Sequence, residues 1–363
     1  MRLSICLALA LLLPALCIAA PSSASAQEAR QVMERVGTLT AKDAIDEKGL
    51  VTIGGIEQWV SVRGRHRSNP ILLVLHGGPG FTLSPVSYWY MRDWEEYFTV
   101  VQWDQRGAGK TYAANDPASV RPTMSVKRMV DDAEELILHL RRTYGKDRVV
   151  LLAHSFGTIL GVELAQRRHD LLYAYVGTGQ FIDSRRSERM GFEATLAAAR
   201  AAGDAEAVAE LTAIAPFPDP VNPARNLQNL GKERKWLAKY GGYYRAGGVG
   251  HNGEIASLSP DFTADELKTR DEAQWFSLQA MWGELGTVSF SERTTFRTPV
   301  IILQGRHDLG TSSTLVAEWF PRVKAPVKKL VWFEDSAHMV HEEEPGKLLV
   351  TLVEQVLPLT RRK

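Results

Sequence analysis

Residues Leu151-Leu152-Ala153-His154-Ser155-Phe156-Gly157-Thr158 run an apolar strand straight into a helix, with a serine at the corner. The positions two before and two after that serine, Ala153 and Gly157, are both small. A chain that turns this sharply drives any bulky flanking side chain into the neighbouring strand or helix. The same turn lifts the serine oxygen above the sheet edge and aims the next backbone N–H, that of Phe156, into the same space. This is the pattern of a nucleophile elbow, with Ala153 standing where glycine is usual. Small residues also let ordinary strands enter ordinary helices, so the rest of the chain has to carry the reading.

Around the elbow the apolar runs are short and continuous, as in strands buried on both faces. They are Ile71–Leu75, Thr99–Trp103, Val149–Ala153, Tyr173–Val176, Pro299–Leu303 and Lys329–Phe333. Leu50–Ile53 and Gln58–Arg63 read as a hairpin about Gly54-Gly55. Val126, Met129, Val130, Ala133, Leu136, Ile137 and Leu140 recur at helical spacing, with Ser125 to cap the start and Gly145 the end. Strands alternating with helices predict an α/β fold: a mostly parallel sheet covered on both faces. The stretch 180–297 breaks that rhythm. It holds an Ala-rich helical run over Glu193–Ala215, a proline-rich break at Pro216–Pro223, a Gly/Tyr-rich loop at Gly241–Gly250, and aromatic Trp275, Phe276 and Trp282. It reads as a helical cap inserted between two strands, leaving 27–179 and 298–363 as one catalytic domain.

The first 26 residues read as a secretory signal: Arg2, an apolar run from Leu7 to Ala20, then small residues ending Ala24-Ser25-Ala26. Cleavage before Gln27 predicts an exported mature chain with no membrane anchor. Both cysteines, Cys6 and Cys17, fall in the leader, so neither a disulfide nor a cysteine nucleophile is available afterwards. Without Arg2 the basic and acidic side chains balance at 42 each. That balance, with no basic run, argues against nucleic acid as a partner.

His76-Gly77-Gly78-Pro79-Gly80 follows Ile71–Leu75 directly. Open α/β sheets bind ligands at that strand edge, and the Gly78 N–H there joins that of Phe156 as a candidate oxyanion hole. A serine nucleophile needs a base, and the base an orienting acid, in the chain order serine, acid, histidine. Asp308 in Gln304-Gly305-Arg306-His307-Asp308 and His338 in Glu334-Asp335-Ser336-Ala337-His338 follow successive strands in that order. Asp308 also suits a cap for a helix starting near Ser312. His341 competes for the base, and Asp183 is the reserve acid. Asp104 and Arg106 in Asp104-Gln105-Arg106-Gly107-Ala108-Gly109-Lys110-Thr111 read as a buried brace for the His76–Gly80 loop. The spacing is wrong for a phosphate loop and no HExxH occurs, so no cofactor and no metal is expected.

Together HGGPG at His76–Gly80, DQRGAGKT at Asp104–Thr111 and AHSFGT at Ala153–Thr158 resemble the proline iminopeptidase branch of the α/β hydrolases. The resemblance implies an eight-stranded sheet with a helical cap, and catalysis by Ser155, Asp308 and His338. It also implies that a cap glutamate holds the substrate's free amino terminus; Glu188, Glu193, Glu254, Glu266, Glu272 and Glu284 are available. The elbow departs from the branch's usual GGSWGS at Ala153, His154, Phe156 and Thr158. The expected partner is therefore a small peptide, with a small-molecule ester, lactone or amide as the alternative. A binding protein without catalysis fits less well, since no triad member is missing.

Overall fold

The computed structural model describes residues 23–248 and 250–361. Most of the predicted leader lies outside them. A helix, Ser23–Val36, opens the described chain and spans the expected cleavage point.

Eight strands form one sheet in the order β1-β2-β4-β3-β5-β6-β7-β8. The strands are β1 Ile45–Ile53, β2 Ile56–Gly64, β3 Ile71–Leu75, β4 Thr99–Trp103, β5 Val149–His154, β6 Leu172–Thr178, β7 Val300–Gly305 and β8 Lys328–Phe333. The β1–β2 hairpin and the β2–β4 pair are antiparallel, and every pairing from β4 to β8 is parallel. Residues in β3, β4 and β5 are wholly buried because side chains from both faces have helices to meet. Leu73, Leu75, Leu151 and Ala153 join one core cluster, while Leu72, Val74, Val150 and Leu152 join the other. Outer β1 carries exposed Asp46, Glu47 and Lys48, charges that discourage edge-to-edge pairing.

The helix after β4 runs Val126–Tyr144 with the predicted ends: the Ser125 side chain accepts from Arg128 N at 3.1 Å, and Gly145 closes it at φ 64°. Between β6 and β7 lie the cap helices Ser184–Ala201, Ala205–Ile214, Pro223–Lys239, Asn252–Ser257 and Ala264–Leu285. Phe192, Ala199, Leu211, Phe217, Leu230 and Trp236 give them a small core of their own. The Ala-rich helical run over Glu193–Ala215 is helical as expected and is divided between two helices. Gly203 at φ 67° stops the first, and the Asp204 carboxylate, accepting from Ala207 N at 3.1 Å, starts the second.

Candidate active site

At the elbow Ser155 sits at φ 53°, ψ −122°, a left-handed conformation a serine adopts only under constraint. The constraint is packing. A Cβ at Gly157 would lie 2.3 Å from the Leu75 carbonyl oxygen, so strand β3 and the elbow helix Phe156–Arg167 meet through bare backbone. Ala153 fits in place of glycine because Gly161 faces its methyl: a Cβ there would stand 3.1 Å from that of Ala153. Phe156 opens the helix, so its N–H has no intrahelical acceptor. Gly78, Ser155, Phe156 and His338 all line one cavity of about 570 Å³ beneath the cap.

His338 Nδ1 lies 2.9 Å from Asp308 Oδ2. Asp308 is fully buried and takes three further donors: Gln304 Nε2 at 2.9 Å, Thr311 N at 2.9 Å and Thr311 Oγ1 at 2.8 Å. Three of these donors converge on Oδ2 and the fourth, Thr311 N, meets Oδ1, a surround that suits an ionised carboxylate, which only accepts. Burial works against that charge, but His338 and the Thr311 bonds outweigh it and hold the carboxyl below its usual range. With Nδ1 committed, Nε2 is the nitrogen left to exchange a proton. Asp308 does not cap the helix Ser313–Trp319, whose N-cap is Ser312 with no side-chain cap bond; its carboxylate holds the preceding turn at Thr311 and is committed to His338.

The competing residues are placed elsewhere. His341 is buried with no hydrogen bond to its Nε2, which lies 3.7 Å from Glu342 Oε1, and burial followed by His338 lowers it to about 3. Asp183 caps the helix Ser184–Ala201, accepting from Arg186 N at 2.9 Å, and is not beside His338. His154, unexpected at the elbow, stacks on His338 with ring centroids 4.8 Å apart and meets Thr178 Oγ1 at 3.1 Å. Burial, then its histidine neighbours, keeps it uncharged.

The expected brace is shared differently. Asp104 accepts from Ser84 Oγ at 2.7 Å, from Lys110 N at 2.8 Å and from Thr82, fixing the chain just after Gly80. Arg106 does not touch that loop. It pairs with Asp132 at 2.7 Å and reaches Gly54 O at 2.8 Å, tying the hairpin turn to the helix Val126–Tyr144. Gln105, which the sequence did not single out, holds the loop instead: its N–H donates to His76 Nε2 at 3.2 Å and its amide to His76 O at 3.1 Å.

Of the cap glutamates, Glu188 and Glu193 reach the cavity. Glu266 completes a capping box and pairs with Lys110, Glu284 accepts from Val126 N, and Glu254 and Glu272 are exposed. The group that sequence reasoning missed is Glu233-Arg234. Arg234 lines the cavity and pairs with both Glu188 Oε1 and Glu233 Oε2, leaving Glu188 Oε2 and Glu233 Oε1 buried and unpartnered. Burial, with Arg234 opposing and Glu188 assisting, raises Glu233 to about 7. The signal was in the sequence: Leu230, Glu233 and Leu237 share one helical stripe, so Glu233 stands on the apolar face.

A mostly parallel sheet with an elbow serine and a carboxylate-bound histidine at its carboxyl edge defines a class. The chain belongs to the alpha/beta hydrolase family, which it matches over residues 71–352. It is 27% identical over 308 residues to the probable aminopeptidase YbaC of Bacillus subtilis (strain 168), covering 83% of this chain and 93% of that one. Solved structures of a proline iminopeptidase-related protein from Thermus thermophilus and of the proline iminopeptidase of Mycobacterium smegmatis share the fold. Their TM-scores are both 0.61, at 22% and 21% identity, covering 87% and 86% of this chain and 99% and 98% of theirs.

Proposed function

We propose that the chain is an exported serine aminopeptidase, cleaving short peptides through an acyl-enzyme on Ser155. His338 Nε2 takes the Ser155 proton as the oxygen attacks the scissile carbonyl, and Asp308 fixes the imidazole tautomer and stabilises its charged form. The N–H groups of Phe156 and Gly78 receive the oxyanion; losing one such donor costs roughly 3–4 kcal/mol of transition-state energy. His338 returns the proton to the leaving amine, and water then releases the acyl group by the same route. Export rests on the leader, 1–26.

The observation that carries the peptidase reading is Glu188 in the same cavity as Ser155 and His338. Glu233 takes up the charge of Arg234 from behind, so Glu188 keeps a negative charge to offer a substrate ammonium. A small-molecule esterase or amidase is the second reading, supported by the apolar walls at Phe181, Phe192, Phe217, Leu230 and Leu278.

Aminoacyl-nitroanilides, their N-acetylated forms and short-chain nitrophenyl esters separate the two. The peptidase requires the free amine; faster turnover of blocked amides or esters overturns it. Ser155→Ala is expected to lower turnover by about 10⁶-fold. Full activity in that variant removes the mechanism altogether.

A further inference from the structure

The cavity is polarised along its depth. One helix, Ser184–Ala201, supplies two adjacent columns of lining residues. Ser184, Glu188 and Phe192, spaced four apart, form an inner column that is buried or half-buried. Arg185, Arg189 and Glu193 form the outer column, and all three are exposed at the mouth. The inner charges, Glu188 and Glu233 against Arg234, sum to negative when both carboxyls are ionised. The outer charges sum to positive.

The outer cations are not consumed by neighbours. Arg189 has no hydrogen-bond or ion-pair partner among the described residues, and Glu193 does not pair with it. Arg185 donates from Nε to Gly286 O at 3.2 Å, on the segment bridged to its own at Asp183 and Ser289, and its terminal nitrogens have no partner among the described residues. The remaining acid at the rim, Asp219, is already committed to Arg225 at 3.1 Å and to the N–H groups of Val221 and Asn222 at 2.9 and 3.0 Å. Gly283 and Gly286 line the same rim, and a Cβ on either would meet nothing closer than 3.7 Å, so the space before the arginines is open.

From this polarity we infer that Arg185 and Arg189 form a carboxylate subsite, and that the substrates are di- and tripeptides with a free carboxyl terminus. The inference rests on the aminopeptidase reading above and names its substrate class. An extended residue spans about 3.5 Å, so the ammonium and carboxylate of a dipeptide stand roughly 7 Å apart and those of a tripeptide roughly 10 Å. Neighbouring columns of one helix can bracket that span. The inner column meets the ammonium, the outer guanidinium groups meet the carboxylate, and the scissile carbonyl lies between them. A longer peptide carries its carboxylate past the arginines and loses the contact.

The test compares one aminoacyl residue, the best in the nitroanilide panel, followed by alanine as the free acid and as the carboxyl-terminal amide. The scissile bond is the same in both. The wild-type protein is expected to favour the acid by about fivefold in kcat/KM, the scale of a partly exposed guanidinium–carboxylate contact, and added salt should shrink the preference. In Arg185→Ala/Arg189→Ala the acid-to-amide ratio should collapse toward one, and in Arg189→Glu it should fall below one. A wild-type ratio of one, or a ratio that survives the double substitution, overturns the subsite while leaving the aminopeptidase reading intact. If N-acetylated nitroanilides turn over as well as free ones, the underlying reading fails and the subsite falls with it.

Discussion

The sheet edge and the cap face each other across one cavity, yet they are built by different means. At the sheet edge position comes from backbone: bare glycine at Gly157, a strained φ at Ser155, and a loop held by Gln105. Asp308 there has both oxygens hydrogen-bonded and keeps its charge despite complete burial. In the cap position comes from helix faces, and the charges are left unfinished. Glu188 and Glu233 each keep a buried oxygen without a partner. A saturated carboxylate is an orienting device, whereas an unsaturated pair still has capacity for a ligand. On the proposed function, the contrast separates parts that do chemistry from parts that choose substrate, and it can be broken experimentally.

The largest effect should come at the saturated end. Asp308→Asn keeps the shape but replaces one acceptor with an NH₂ donor facing Gln304, Thr311 or His338, and it releases the imidazole tautomer. Turnover should fall by about 10⁴-fold for every substrate, amide or ester, with KM changed little. A loss confined to free-amine substrates would show that Asp308 acts through the cap.

Next in size is the joint between the two regions. The cap helix Ala264–Leu285 packs onto Gly80, where φ is 82° and a Cβ would lie 2.8 Å from that of Ser277 and 2.9 Å from the Ala273 carbonyl oxygen. Gly80→Ala must strain the backbone and lift the helix. About 3 kcal/mol of stability should be lost, read by denaturant unfolding. A loss no larger than the roughly 1–2 kcal/mol of backbone strain alone would mean that cap and sheet are mechanically independent.

The same contrast explains what could be read in the sequence. Strands β3 and β4 were legible to the residue, because a strand buried on both faces reads as a short, nearly continuous apolar run, which in β4 admits only Thr99 and Gln102. The elbow, the loop at His76–Gly80 and the bonded pair Asp308–His338 were legible because tight turns demand particular small residues, and loops after successive strands must converge on one edge. Arg106 was misassigned, since sequence order cannot tell which buried acid a guanidinium will find; here it is Asp132 on a distant helix. The split at Gly203–Asp204 was visible but overlooked amid a continuous alanine pattern. Glu233 and Arg234 lie in Lys232-Glu233-Arg234-Lys235, which looks like a solvated charge run. The stripe Leu230, Glu233 and Leu237, masked by those charges, turns one carboxylate of the run into the cap core.

The smallest effect, and the one that most sharpens the comparison, lies at Glu233. Its folded pKa of about 7 is well above the ordinary glutamate value, first because of burial and then through the balance of Arg234 against Glu188. Below about 7 Glu233 is protonated, Arg234 pairs with Glu188 alone, and the cluster is neutral. Above it Glu233 ionises, neutralises Arg234, and leaves Glu188 free, so the cluster carries one negative charge. A substrate α-amine, ordinarily titrating at about 7.7–8.0, is still largely charged as this happens. KM for free-amine substrates should therefore fall as pH rises through about 7 and climb again above about 8, while N-blocked substrates show no such dip. Glu233→Gln removes the titrating group, so the dip should vanish and the free-amine to N-blocked ratio of kcat/KM at pH 7.5 should drop about tenfold. A KM that stays flat across pH 6–8 in the wild-type protein would mean that Glu233 only braces Arg234, and the cap would then be as finished a structure as the sheet edge.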